Sequence, residues 1–219
     1  MHTKLSTILA AMTLSLVAFG QQDTPFQIRY AANLTGGDSV INITNTGANG
    51  AALNGPGFGL ATGNICVNVY AFSPDEQLIS CCSCLITPNG LVSLSVNGDL
   101  VSNTLTGIRP NSVVIKLLNT LASVAVAGGG ATSCTNSAAL ASVPGFAAPF
   151  PIANGMLAWG TTLHQNAVAG FATTETAFIP ATLNPDELAS ITGRCANIIG
   201  NGSSFGICRS CRSGGLRSN

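Results

Sequence analysis

Charge is what this chain has least of. Asp, Glu, Lys and Arg make up 7% of its 219 residues, eight acids against eight bases, for a formal net charge of zero. An ordinary globular domain carries about 25% charged residues. Nucleic-acid binding rests on a concentrated basic footprint, and a balance this even gives it no support. Solubility falls instead to Ser, Thr, Asn and Gly, and such a surface repels copies of itself weakly and tolerates close packing. Long apolar runs are lacking too. After residue 20 no run reaches the roughly 18 residues that a membrane-spanning helix needs. The one local charge excess is C-terminal: Arg194, Arg209, Arg212 and Arg217 all follow Glu187, the last acid. That cluster reads as a solvated tail or, more sharply, as a contact with an anionic polymer or lipid surface.

What is present begins with a leader pattern. Met1 to Lys4 is a short positive segment, Leu5 to Phe19 is apolar, and Ala18-Phe19-Gly20 is a small-x-small cleavage site ahead of Gln21. Residues 1–20 are therefore expected to be a signal peptide, and the remainder to be secreted to the cell surface, the extracellular medium or the periplasm. No cysteine stands at the cleavage site to carry a lipid. A domain of roughly 200 residues buries about 70% of the surface its unfolded chain exposes, so it needs no bridges merely to fold. The eight cysteines, Cys66, Cys81, Cys82, Cys84, Cys134, Cys195, Cys208 and Cys211, are all disulfide candidates and suggest durability in an oxidising compartment.

Short strands between turn signals dominate the rest. Val40 to Thr44 is a strand ending at Asn45-Thr46-Gly47, and the glycine-rich stretch from Gly47 to Gly63 is a loop. Ile65 to Phe72 and Leu78 to Ile86 form a hairpin about Ser73 to Gln77. Pairing Phe72 with Leu78 sets Cys66 opposite Cys84, near enough for a bridge. A register shorter by two offers Cys82 instead. Cys81 points to the face opposite Cys82 and Cys84, because side chains alternate along a strand, and Cys134 is a candidate partner for it. Leu91 to Val96, Ser112 to Leu118, Leu121 to Ala127, Met156 to Leu163 and Thr173 to Ile179 are further strands, with a long loop near 128–155. A helix follows Asn184: an N-cap, Pro185 at the first turn, and Asp186 and Glu187 suited to the helix dipole. Leu188, Ile191, Cys195 and Ile198 share one face, Gly200 closes the helix, and Cys208 or Cys211 lies near enough in sequence to reach Cys195. The fold expected is an antiparallel β-sandwich or barrel-like domain over residues 21–183, with a C-terminal helix and cysteine-bearing tail, 184–219, packed on it.

Motifs that elsewhere carry chemistry have plainer readings here. Cys208-Arg209-Ser210-Cys211 has dithiol spacing but lies in a Gly/Ser/Arg-rich tail rather than at a helix start. Joined by Cys81-Cys82-Ser83-Cys84 it could supply four thiolates to zinc, though one CxxC and a CCxC fall short of two CxxC pairs. Gly202 to Gly206 fits G-x-S-x-G, but a helix precedes it where a nucleophile elbow needs a strand, and His164 comes before the serine. Asp75 with Glu76 sits in a turn and Asp186 with Glu187 at a helix start, whereas paired catalytic carboxylates face each other across a cleft. Asn33, Asn42 and Asn201 head glycosylation sequons. No catalytic, cofactor-binding or metal residue is assigned.

The segments Cys66-Val-Asn-Val-Tyr-Ala-Phe-Ser-Pro-Asp-Glu-Gln, Cys81-Cys-Ser-Cys and Gly206-Ile-Cys-Arg-Ser-Cys-Arg-Ser-Gly-Gly-Leu together resemble a group of secreted cysteine-containing proteins from environmental bacteria. The resemblance implies a secreted, cysteine-bearing domain and transfers no catalytic residue. Ile41-Asn-Ile-Thr-Asn-Thr-Gly resembles a strand and turn of bacterial surface sandwich domains. The expected function is a secreted, non-enzymatic structural or adhesive role, with self-assembly among its forms. The expected partners are a second copy or an envelope or extracellular polymer. An extracellular hydrolase using unidentified carboxylates and a cysteine-based metal module are the alternatives.

Overall fold

The computed structural model describes residues 23–51, 63–122, 134, 152–165, 170–209 and 211–213. The expected signal peptide, the strand expected beyond Ala122, and most of the loops expected over 47–63 and 128–155 lie outside the described residues.

Two five-stranded antiparallel sheets pack face to face. One, sheet A, has the order β4 (Leu78–Ile86), β3 (Ile65–Phe72), β6 (Val113–Leu121), β1 (Phe26–Ala31), β9 (Ile179–Pro180). The other, sheet B, runs β10 (Arg212–Ser213), β5 (Leu91–Ser95), β2 (Ser39–Asn45), β7 (Met156–Gln165), β8 (Phe171–Ala177). The helix α1 (Pro185–Gly200) lies on the outer face of sheet A. The expected disulfide-stapled antiparallel sandwich with one C-terminal helix is the architecture observed.

Burial explains why these segments take these forms. In β2 and β5 every second residue faces the core: Ile41, Ile43, Val92 and Leu94 are buried, whereas Asn42, Thr44, Ser93 and Ser95 are half-exposed. Among the described residues, sheet B is therefore covered on one face only. β3 is different, being buried along nearly its whole length. Val67, Val69 and Ala71 meet sheet B, while Tyr70 on the reverse face meets Leu78, Leu118 and the helical residues Ile191, Cys195 and Ile198. Each aliphatic side chain so buried contributes about 1.5–3 kcal/mol. At the helix start the Asn184 side chain accepts the Glu187 N–H at 2.7 Å, and Pro185 occupies the first turn. Glu187 also forms an ion pair with Lys116 of β6, whose ammonium lies 4.8 Å from the Phe72 ring centre. Asn97-Gly98-Asp99 falls within the five-residue π-helical turn Val96–Leu100.

The chain closes both lateral sides of the sandwich. On one side β8 leads directly into β9 through Phe178, so the backbone crosses from sheet B to sheet A with its ring buried. On the other, residues 206–208 run beside β4: the Cys81 N–H donates to Gly206 O and the Cys208 N–H to Cys81 O. The tail then crosses to β5 as β10.

Candidate functional site

The cysteines were the strongest sequence signal, and their pairing is Cys66–Cys134, Cys81–Cys195, Cys82–Cys208 and Cys84–Cys211. Cα separations are 5.8, 6.0, 5.5 and 5.5 Å, all within the span a disulfide bridges. Three expectations are thereby corrected. Cys66 does not pair with Cys84 or Cys82. Phe72 does pair with Leu78 as expected, but Ala71 pairs with Ser80, so Ile79 is an extra residue. That bulge shifts the rest of the ladder by one, placing Cys66 opposite Leu85 and Cys84 opposite Val67. A one-residue slip exchanges faces, so Cys66 and Cys84 end on opposite sides of sheet A. Cys81 does face away from Cys82 and Cys84, yet its partner is Cys195 rather than Cys134. For Cys195, nearness in sequence to Cys208 and Cys211 proves irrelevant. The helical face carrying it docks on Tyr70 and Cys81, while the tail goes round the β4 edge to the inner face.

The remaining motifs are dispersed. Cys208 and Cys211 are each bridged to β4 and not to each other. Ser204 is exposed in a left-handed turn (φ 64°) that joins the helix to the tail. His164 is exposed near the end of β7, its Nε2 3.0 Å from Thr174 Oγ1. Arg194 is on α1, donating to Glu76 O, and Arg209 is in the exposed tail, so the C-terminal arginines are divided between elements. Of the acids, Asp38 accepts the N–H groups of Ser39 and Asn97, and Asp99 accepts that of Ser95, which orders the turn after β5. Two grooves flank α1. One, of about 290 Å³, is lined by Phe26, Ile152, Leu183 and Leu188; the other, of about 330 Å³, by Leu78, Leu105, Arg194 and Ile198.

Two arrangements emerged that the sequence did not announce. The first lies between the sheets. Arg29 of β1 is buried, and its guanidinium donates to three hydroxyls on adjacent strands of sheet B: Nη1 to Ser39 Oγ at 2.9 Å, Nη2 to Thr162 Oγ1 at 2.8 Å, and Nε to Thr176 Oγ1 at 3.1 Å. A Cβ at Gly160 would collide with the guanidinium, so glycine is what admits it. Burial lowers the arginine pKa from its ordinary value.

The second arrangement is on the outer face of sheet B. Ser93 Oγ donates to Asn42 Oδ1 at 2.7 Å, Asn42 Nδ2 to Thr161 Oγ1 at 3.1 Å, and Thr161 Oγ1 to Glu175 Oε1 at 3.1 Å. One hydrogen-bonded row thus crosses four strands, β5, β2, β7 and β8. Trp159, the only tryptophan, stands half-exposed beside it, two residues from Thr161 and in register with Asn42. Alternation within each strand identifies which residues face outward. Which of them meet across strands depends on register, above all that of β2 with β7, where Asn42 and Thr161 are 119 residues apart. No known protein family, curated protein or solved structure matches the chain, so these residues are read on their own chemistry.

Proposed function

We propose that the chain is exported and acts outside the cytoplasm as a non-enzymatic structural or adhesive domain, with the outer face of sheet B as its contact surface. The observation that carries this reading is the row Ser93–Asn42–Thr161–Glu175 beside Trp159. A hydroxyl- and amide-rich strip ending in one carboxylate and flanked by one indole suits a hydroxylated polymer, whose C–H faces lie on the ring while its hydroxyls join the row. Four disulfides support the export part, since such bridges persist in oxidising compartments. Sedimentation with insoluble envelope and extracellular polysaccharides tests it. Binding should occur and fall at least tenfold in W159A, with N42A weaker in effect. A chain that sediments with no polymer and remains monomeric when concentrated would sink the reading.

A second reading has one specific observation in its favour. The Sγ atoms of Cys82, Cys84 and Cys211 lie within 4.8 Å of one another, and Cys208 is bonded to the first. Reducing those two bridges would leave four thiols, three of them clustered, and four thiolates are a ligand set that structural zinc takes. Native mass spectrometry of the exported protein without reductant separates the two. A mass lower by two hydrogens for each of four bridges supports the structural reading, and intact thiols with added metal mass support the other.

A further inference from the structure

We propose that β8 pairs antiparallel with β8 of a second copy, joining two sheets B into one continuous sheet. This deepens the structural reading above and rests on it. Among the described residues, three of the four lateral edges are partly covered or end in a two-residue strand. Residues 206–208 and the Leu105 N–H occupy the edge of β4, β10 covers β5, and β9, which contains Pro180 and so lacks one N–H, covers β1. β8 is the fourth. It is seven residues long, has no partner on its outer edge among the described residues, and is exposed from Ala172 to Ala177. Natural edges are guarded by charged side chains, lysine above all, by proline or by a bulge. Phe-Ala-Thr-Thr-Glu-Thr-Ala has one charge, Glu175, and neither lysine nor proline, and its ladder with β7 has no register shift.

The strand also selects its own register. Only alternate residues turn N–H and C=O towards a given edge, so identical strands pair only about a central residue and its copy. Centring on Glu175 would set two carboxylates face to face, which is unfavourable. Centring on Thr173 leaves part of the strand unpaired. Centring on Thr174 engages all seven residues and places each Glu175 opposite Thr173 of the second copy, on the outer face. There the hydrogen-bonded row of one copy would meet that of the other, making a single strip with two Trp159 rings.

The test is sedimentation equilibrium of the oxidised protein and two surface variants, T173E and T173K, at low and high salt. The wild-type chain should dimerise. T173E sets carboxylates opposite Glu175 twice per dimer and should weaken association about tenfold, less at high salt. T173K sets an ammonium there and should tighten it by a similar factor. If pairing centred on Thr173, T173K would instead weaken it. A wild-type chain that stays monomeric at millimolar concentration, or a dimer indifferent to both variants or weakened by T173K, overturns the proposal. A monomer that still binds polysaccharide through Trp159 leaves the adhesive reading standing, and a dimer that binds none removes the adhesive reading alone.

Discussion

The two lateral sides of the sandwich are closed by different chemistry. Beside β4 and β5 the closure is sulfur: Cys82–Cys208 and Cys84–Cys211 pin the tail between the sheets, and the tail covers both strand edges. Beside β8 and β9 it is the Phe178 crossing and the Arg29 guanidinium held by three hydroxyls. Covalent closure keeps its strength in water and salt, and here it comes with covered edges. Hydrogen-bonded closure depends on keeping water from the guanidinium, and on that side β8 has no outer partner among the described residues. The edge proposed for pairing therefore lies on the side that, among the described residues, is not cross-linked.

Removing the sulfur closure should have the largest effect. Replacing all four of Cys82, Cys84, Cys208 and Cys211 by alanine should cost about 5 kcal/mol, the chain entropy of closing a loop of 126 residues. C84A/C211A alone should cost about 2 kcal/mol, because the neighbouring bridge, spanning 126 residues against 127, already closes nearly the same loop. Urea unfolding measures both, and a quadruple replacement costing only twice what the pair costs would show that the two bridges do not share a constraint. On the opposite side, R29M removes three hydrogen bonds and should cost about 2 kcal/mol. Hydrogen exchange should then show β7 and β8 amides losing protection while those of β4 keep theirs; uniform loss would mean that the sides are not separable.

The helix layer tests whether either side feels a change at the other face of sheet A. Burial raises the Tyr70 phenol well above its ordinary value, because the ionised form is the one desolvated. The stability this residue confers is therefore complete below about pH 10, the unfolded value, and falls by about 1.4 kcal/mol per pH unit above it. Y70F should unfold at higher pH than the parent chain, and coincident alkaline transitions would contradict this. The smallest effect is expected for E187Q. Its ion pair with Lys116 is partly exposed, so thermal unfolding should shift by no more than about 0.5 kcal/mol.

Legibility followed the range of the interaction. The helix was readable from Asn184, Pro185 and the spacing of Ile191, Cys195 and Ile198, all local. The β3–β4 hairpin was readable to its Phe72–Leu78 pair, but the bulge at Ile79 was not. Two successive inward residues in an apolar run leave no mark on the alternation, and that one residue redirected Cys66 to Cys134. Of the candidate site, the outward positions of Asn42 and Thr161 were legible strand by strand. Arg29 was not, since a lone arginine in a strand ordinarily faces solvent. Its burial requires the gap at Gly160, 131 positions along the chain, and hydroxyls from three strands of the other sheet.

By itself the sequence determined the class of fold, the helix and its buried face, and a bridge framework, because capping, periodicity and composition act within a few residues. Tertiary structure alone decided which cysteines met, which strand edge stayed open, and which polar side chains joined into a row. Those outcomes depend on register and on sheet-to-sheet packing, where a shift of a single residue exchanges one face for the other.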